Sequence, residues 1–101
     1  MHEIQVARAE REFLRWVLLS ALSRAEPYGT NERVLARTAE DIPLRSTSDL
    51  IRKELVYLEG HGLVKVTQTG LWQAKLTSKG SDFVDYRAED IAGIARPKTD
   101  W

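Results

Sequence analysis

Arg52 and Lys53 stand side by side in a stretch, STSDLIRKELVYLEG (46–60), that opens on three hydroxyl residues and carries Tyr57 one helical turn further on. Paired cations beside small hydroxyls are the chemistry of nucleic-acid contact. Arg or Lys can read the two acceptors of guanine in the major groove, and hydroxyls and lysines can hold phosphates. The candidate contacts are Arg45, just before this stretch, and Ser46, Thr47, Ser48, Arg52, Lys53 and Tyr57 on it. The residues that follow add Lys65, Thr67, Gln68, Thr69 and Lys75. A plainer reading leaves both cations solvated, with Arg52 paired to Glu59 or Asp49.

Other chemistry finds little to work with. The chain has no cysteine, which removes disulfides, thiolate metal sites and cysteine nucleophiles. Its two histidines, His2 and His61, sit near the start of the chain and in a glycine turn. No HExxH, GxxxxGK[ST] or GxGxxG occurs, so zinc and nucleotide sites lack their usual scaffolds. Glu40-Asp41 has no partnered base. The expectation is a protein that is not an enzyme and has no cofactor and no metal.

Fifteen basic residues balance fifteen acidic ones, so total charge makes no case for a polyanionic partner. Distribution says more. Residues 44–79 hold six basic and three acidic side chains, whereas both flanks are net acidic. The positive excess falls on the stretch that carries the candidate contacts.

The elements that must position these residues follow from period and punctuation. At 101 residues there is room for one domain. Residues 3–25 read as a first helix, with Phe13/Leu14, Val17/Leu18 and Ala21/Leu22 toward the core. Ile4, Val6 and Trp16 widen its apolar stripe and suggest a homodimer seam through this helix. Pro27 ends it. Thr30 or Asn31 can N-cap a second helix over 31–41, with Val34, Leu35, Thr38 and Ala39 inward. Ile42-Pro43-Leu44 makes the turn into a third helix, for which Ser46 is a good N-cap and Asp49 completes a capping box.

On that third helix Ile51, Leu55 and Leu58 share the core side. Asp49, Lys53, Val56 and Tyr57 fall opposite, with Arg52 on a flank. Solvent does not favour Val56 and Tyr57, so something should cover them. Val56, Tyr57 and the terminal Trp101 are therefore candidates for a protein contact. Gly60-His61-Gly62 closes the helix, with a glycine in the left-handed conformation. Two alternating runs around Thr69-Gly70 read as a hairpin, with Val64, Val66, Trp72, Ala74 and Leu76 inward. Thr77 caps a short fourth helix over 78–86 that returns Phe83, Val84 and Tyr86 to the first. Residues 88–101 lack an amphipathic period and read as an extended tail, ordered where Ile94 and Trp101 find a surface. The domain is thus 1–87 and the tail 88–101. The fold class is mainly α with a small β-hairpin: a winged helix-turn-helix with a three-helix core, a two-stranded wing and a short C-terminal helix.

From Thr30 onward four pieces, TNERVL (30–35), STSDLIRKELVYLEGHGLV (46–64), WQAKLTSKGSDFV (72–84) and GIARP (93–97), resemble small winged-helix proteins of Mu-like transposable phages and prophages. The most diagnostic are Leu76, Thr77, Gly80 and Asp82, and the late Gly93-x-x-Arg96-Pro97. The central Leu-x-x-Leu-x-x-x-Gly-Leu-Val also resembles ArsR, MarR and PadR-type regulators, although the ArsR metal ligands are missing. Tyr57 stands where that family has an aromatic, and Gly60 replaces a more helical residue, which allows the third helix to end a turn earlier. The resemblance implies fold first, and by analogy a regulator.

Two functions follow as expectations. One is a phage or prophage protein that binds double-stranded DNA, as a transcriptional regulator or DNA-handling accessory. The alternative is a protein-protein interaction module in phage assembly or packaging, with a phage or host partner. The longest apolar run of the first helix, Trp16 to Leu19, is far too short to span a bilayer, and no signal peptide opens the chain. Both point to the host bacterial cytoplasm.

Overall fold

The computed structural model describes residues 2–42 and 48–98, with side chains from 6 to 42 and from 49 to 98. In chain order its elements are α1 (His2–Arg24), β1 (Thr30–Asn31), α2 (Glu32–Thr38), α3 (Ser48–Gly60), β2 (Val64–Thr67), β3 (Gln73–Leu76) and α4 (Ser78–Val84). The three strands form one antiparallel sheet in the order β1-β3-β2. The small domain therefore joins four helices to a three-stranded sheet, not to a two-stranded hairpin. The third strand comes from Thr30 and Asn31, opposite Ala74 and Gln73. Two residues are too few to show an alternating pattern, so no periodicity could announce it.

The same Asn31 starts α2. Its side-chain oxygen accepts from the amides of Arg33 and Val34, both at 3.0 Å, which fills two of the orphan donors at a helix start. Leu35 and Ala39 are fully buried, but Val34 and Thr38 face out, contrary to expectation. α2 ends after seven residues, so only one turn's stripe reaches the core.

Leu14, Leu18, Leu19 and Leu22 are the fully buried residues of α1. The core stripe is rotated from the expected one: it takes in Leu19 and leaves Phe13 47% exposed, with Val17 and Ala21 half-buried. Both stripes have helical spacing, and only the packing of α3, α4 and the sheet selects between them. Ile51, Leu55 and Leu58 of α3, together with Leu63, Val64, Ala74, Leu76 and Phe83, complete the core.

The turns behave as their residues require. α3 runs through Gly60, and Gly62 (φ 76°) takes the left-handed position. Thr77 caps α4 by accepting from the Gly80 amide at 3.0 Å. Gly80, the third residue of α4, lies against the Leu63 carbonyl where any Cβ would collide, so nothing larger fits there. α4 stops at Val84, short of the expected 86, because Tyr86 adopts φ 62°.

Residues 88–98 have no regular structure, yet they are held closely. Ile94 is buried in the core, and the Ala95 amide donates to the Glu12 carbonyl at 3.0 Å. Arg96 donates to the carbonyls of Phe83 (3.1 Å) and Ala88 (2.8 Å) while its guanidinium lies over the rings of Phe83 and Tyr86. An arginine satisfying the carbonyls around a helix C-terminus is favourable for both hydrogen bonding and the helix dipole.

Candidate nucleic-acid interface

α3 exposes Asp49, Lys53 and Val56 on the side away from Ile51, Leu55 and Leu58. Arg52 lies on the flank and does not reach out alone. Its Nε donates to Glu32 Oε1 and its Nη2 to Glu32 Oε2, both at 2.8 Å. Nη2 also donates to the Gly70 carbonyl at 3.1 Å, and the guanidinium packs over the Trp72 ring, 4.8 Å from its centroid. The expected partners Glu59 and Asp49 form no ion pair with it. Glu59 instead accepts from the Val66 amide at 2.8 Å.

Glu32 is the hub of this arrangement. Only 2% of it is exposed, a position a carboxylate tolerates only when paired. Besides both Arg52 donors it accepts from the Trp72 amide at 2.7 Å, and its own amide donates to the Trp72 carbonyl at 2.9 Å. The Arg52 hydrogen bonds hold the Glu32 carboxyl below its ordinary value of 4.5, against burial, which raises it, and with help from the Trp72 amide. The same hydrogen bonds raise Arg52 above its ordinary value. One fork-to-fork pair thus joins the start of α2, the middle of α3 and the hairpin tip.

Lys65 and Lys75 face out from β2 and β3 directly opposite one another. Like charges in that register repel, and neither lysine has an ion-pair partner among the described residues. Gln68 and Thr69 are exposed at the tip beside Gly70. Lys53 also lacks an ion pair among the described residues, and it stands apart on α3. Arg45, Ser46, Thr47 and Trp101 lie outside the described residues, as do Pro43, Leu44 and the Ser46 cap. Ser48 is placed as the first residue of α3.

Tyr57 has a cover, and it comes from this chain. The Arg15 guanidinium lies 3.7 Å from its ring centroid, the His61 ring sits tilted beside it with centroids 4.5 Å apart, and its hydroxyl donates to the Ala92 carbonyl at 3.5 Å. Gly93 (φ 96°) passes so close to the tyrosine hydroxyl that a Cβ would strike it. The expectation of a separate partner over Val56 and Tyr57 is therefore corrected for Tyr57. Val56 stays 48% exposed.

Sequence reasoning missed Glu32, Glu54 and Arg15. Glu54 is 1% exposed and accepts from Arg15 Nε at 2.6 Å, while Arg15 Nη1 donates to the Gly93 carbonyl at 2.8 Å. Each reads as an ordinary charge on a helix, and nothing local marks it as buried. Among the described residues no cluster of three or more His, Asp or Glu is placed to hold a metal ion, and no helix is long and apolar enough to cross a membrane. Comparison with protein-family models, curated proteins and solved structures found no match.

Proposed function

We propose that this chain is a winged helix-turn-helix protein of phage or prophage origin that binds double-stranded DNA, serving as a regulator or DNA-handling accessory in the bacterial cytoplasm. The observation that carries the reading is the Glu32–Arg52 pair. It ties α3 to the hairpin tip, which supports helix and wing meeting a duplex as one unit. The short edge strand, then two helices, then a hairpin in the order β1-β3-β2, supports the winged-helix assignment.

In this reading α3 enters the major groove and the wing lies along the backbone. Lys53 reaches base edges or phosphate, and exposed Val56 suits a thymine methyl. Lys65, Lys75, Gln68 and Thr69 hold phosphates. Arg52 acts chiefly by positioning, since its Nε and Nη2 are already engaged by Glu32 and Gly70. Among the described residues the interaction-module reading keeps only Val56 once Tyr57 is covered by residues 92 and 93, which makes it the weaker of the two.

Labelled duplex titrated across a salt series tests the proposal. The three described lysines contribute about −2.7 to the log–log slope, from about −0.9 per phosphate neutralised. Lys53→Ala should flatten that slope by about 1 and leave the melting temperature unchanged. Absence of binding at low salt, or parental binding by both Lys53→Ala and the Lys65→Ala/Lys75→Ala double variant, would overturn it.

A further inference from the structure

Phe13, Val17, Ala21 and Arg24 fall on one face of α1, because spacings of four, four and three keep a helical stripe aligned. Trp16 and Ser20 flank them, and Val34 and Thr38 of α2 stand across from them with Thr30 between. Together they enclose an open groove of about 520 Å³, within the range of about 300–1,000 Å³ that small-molecule sites occupy. This is the face that the rotated core stripe leaves uncovered. Phe13 is 47% exposed and Val34 45%.

The charge on the groove is one-sided. Among the described residues Arg24 is the one charged residue that lines it, and it is exposed, with no ion pair or hydrogen bond among them. Among the described residues no carboxylate lines the groove. Glu26, two residues on, is turned to Ser81, whose hydroxyl donates to it at 3.3 Å. The rise of α1 puts Arg24 roughly 16 Å from Phe13 along the axis, so the groove has an apolar end and a cationic end. Ser20 and Thr30 add hydroxyl donors along it.

We infer that this groove binds a small amphipathic carboxylate, with its apolar body on Phe13, Trp16, Val17 and Val34 and its carboxylate on Arg24. An extended chain fits the distance between the two ends. The complementarity is one of charge as well as shape: a bare aliphatic ligand would leave the Arg24 end without a partner, and a cation would be repelled. The inference stands independently of DNA binding.

Calorimetric titration of the full chain with decanoate and with decylammonium, which share an alkyl chain and differ in charge, tests it. Decanoate should bind saturably at one site, and decylammonium at least about tenfold more weakly. Arg24→Gln should abolish that preference, a change that an arginine serving only the helix dipole would not produce. Val34→Asp, at an exposed position, should abolish binding of decanoate while the circular dichroism spectrum stays parental. Equal binding of the two ligands, absence of saturable binding, or an unchanged preference in Arg24→Gln would each overturn the inference. So would a dimer in sedimentation that Val34→Asp dissolves and decanoate does not, because the groove would then belong to a second copy of the chain.

Discussion

Arg52 shows how one side chain changes role once its surroundings are known. As one of two adjacent cations on a helix it reads as a base-contacting residue. With Glu32, Gly70 and Trp72 around it, it becomes the link that holds the hairpin tip to α3. Its loss should therefore lower both stability and DNA affinity, where loss of Lys53 lowers affinity alone. Glu32 gives this link a pH dependence. Its folded-state value is held below the 4.5 it has when free, so its contribution is complete above that pH and disappears as pH falls through the lower, folded value. Urea unfolding midpoints compared at about pH 7 and about pH 3.5 should fall more for the parent than for Glu32→Gln, whose amide has no such proton to bind. Equal losses in the two proteins would show that the carboxylate is not what acid releases.

Helix α1 meets α3 through Arg15 and Glu54, and the last described segment closes over both. Glu54 is buried with Arg15 as its cation, so Arg15→Ala should cost about 3–5 kcal/mol by leaving a buried carboxylate unpaired. A double replacement, Arg15→Met with Glu54→Leu, should recover most of that loss. If the single and double variants unfold at the same denaturant concentration, the pair is not the link between these helices. Residues 88–98 belong to the same assembly. Ile94 fills the core, Arg96 satisfies carbonyls at the end of α4, and Gly93 fits under Tyr57. Ile94→Ala should cost about 2–5 kcal/mol, measured by denaturant unfolding, and a value near zero would mean that the segment is not part of the cooperative unit. Removing 93–101 should lower stability as well, so its loss of function could not be assigned to a partner-binding tail.

The whole molecule has a Cα radius of gyration of 13.0 Å, close to the ~13 Å of a compact hundred-residue domain. That value agrees with a final segment folded back on the helices. At this scale the charge balance is zero, so under the proposed DNA-binding function long-range steering would be weak and affinity would rest on a few local contacts. A shallow salt dependence, with about −2.7 contributed by the three described lysines, is the expected signature of that proposal. The α1–α2 groove lies on another part of the surface, lined by none of the residues proposed for DNA contact.

The sequence by itself determined the helices, the hairpin and the caps, because each depends on neighbours within one or two turns. Thr77 as an N-cap, the glycine turn after α3 and the Ile51-Leu55-Leu58 face were legible in local pattern, and the α2 cap was narrowed to Thr30 or Asn31, of which the structure selects Asn31. The residues that carry the phage-protein resemblance are largely structural in this chain: Leu76 is core, Thr77 a cap, Gly80 a close approach, and Gly93 and Arg96 fasten the last segment. Only the tertiary structure decided which of two helical stripes of α1 faces inward, that two residues at Thr30 form a strand, and that Tyr57 is covered from within. It also decided the fate of the charges. Glu32, Glu54, Arg15 and Arg52 look solvated in any local window, because burial of a charge depends on a partner brought from as far as 39 residues away, and no periodicity encodes that distance.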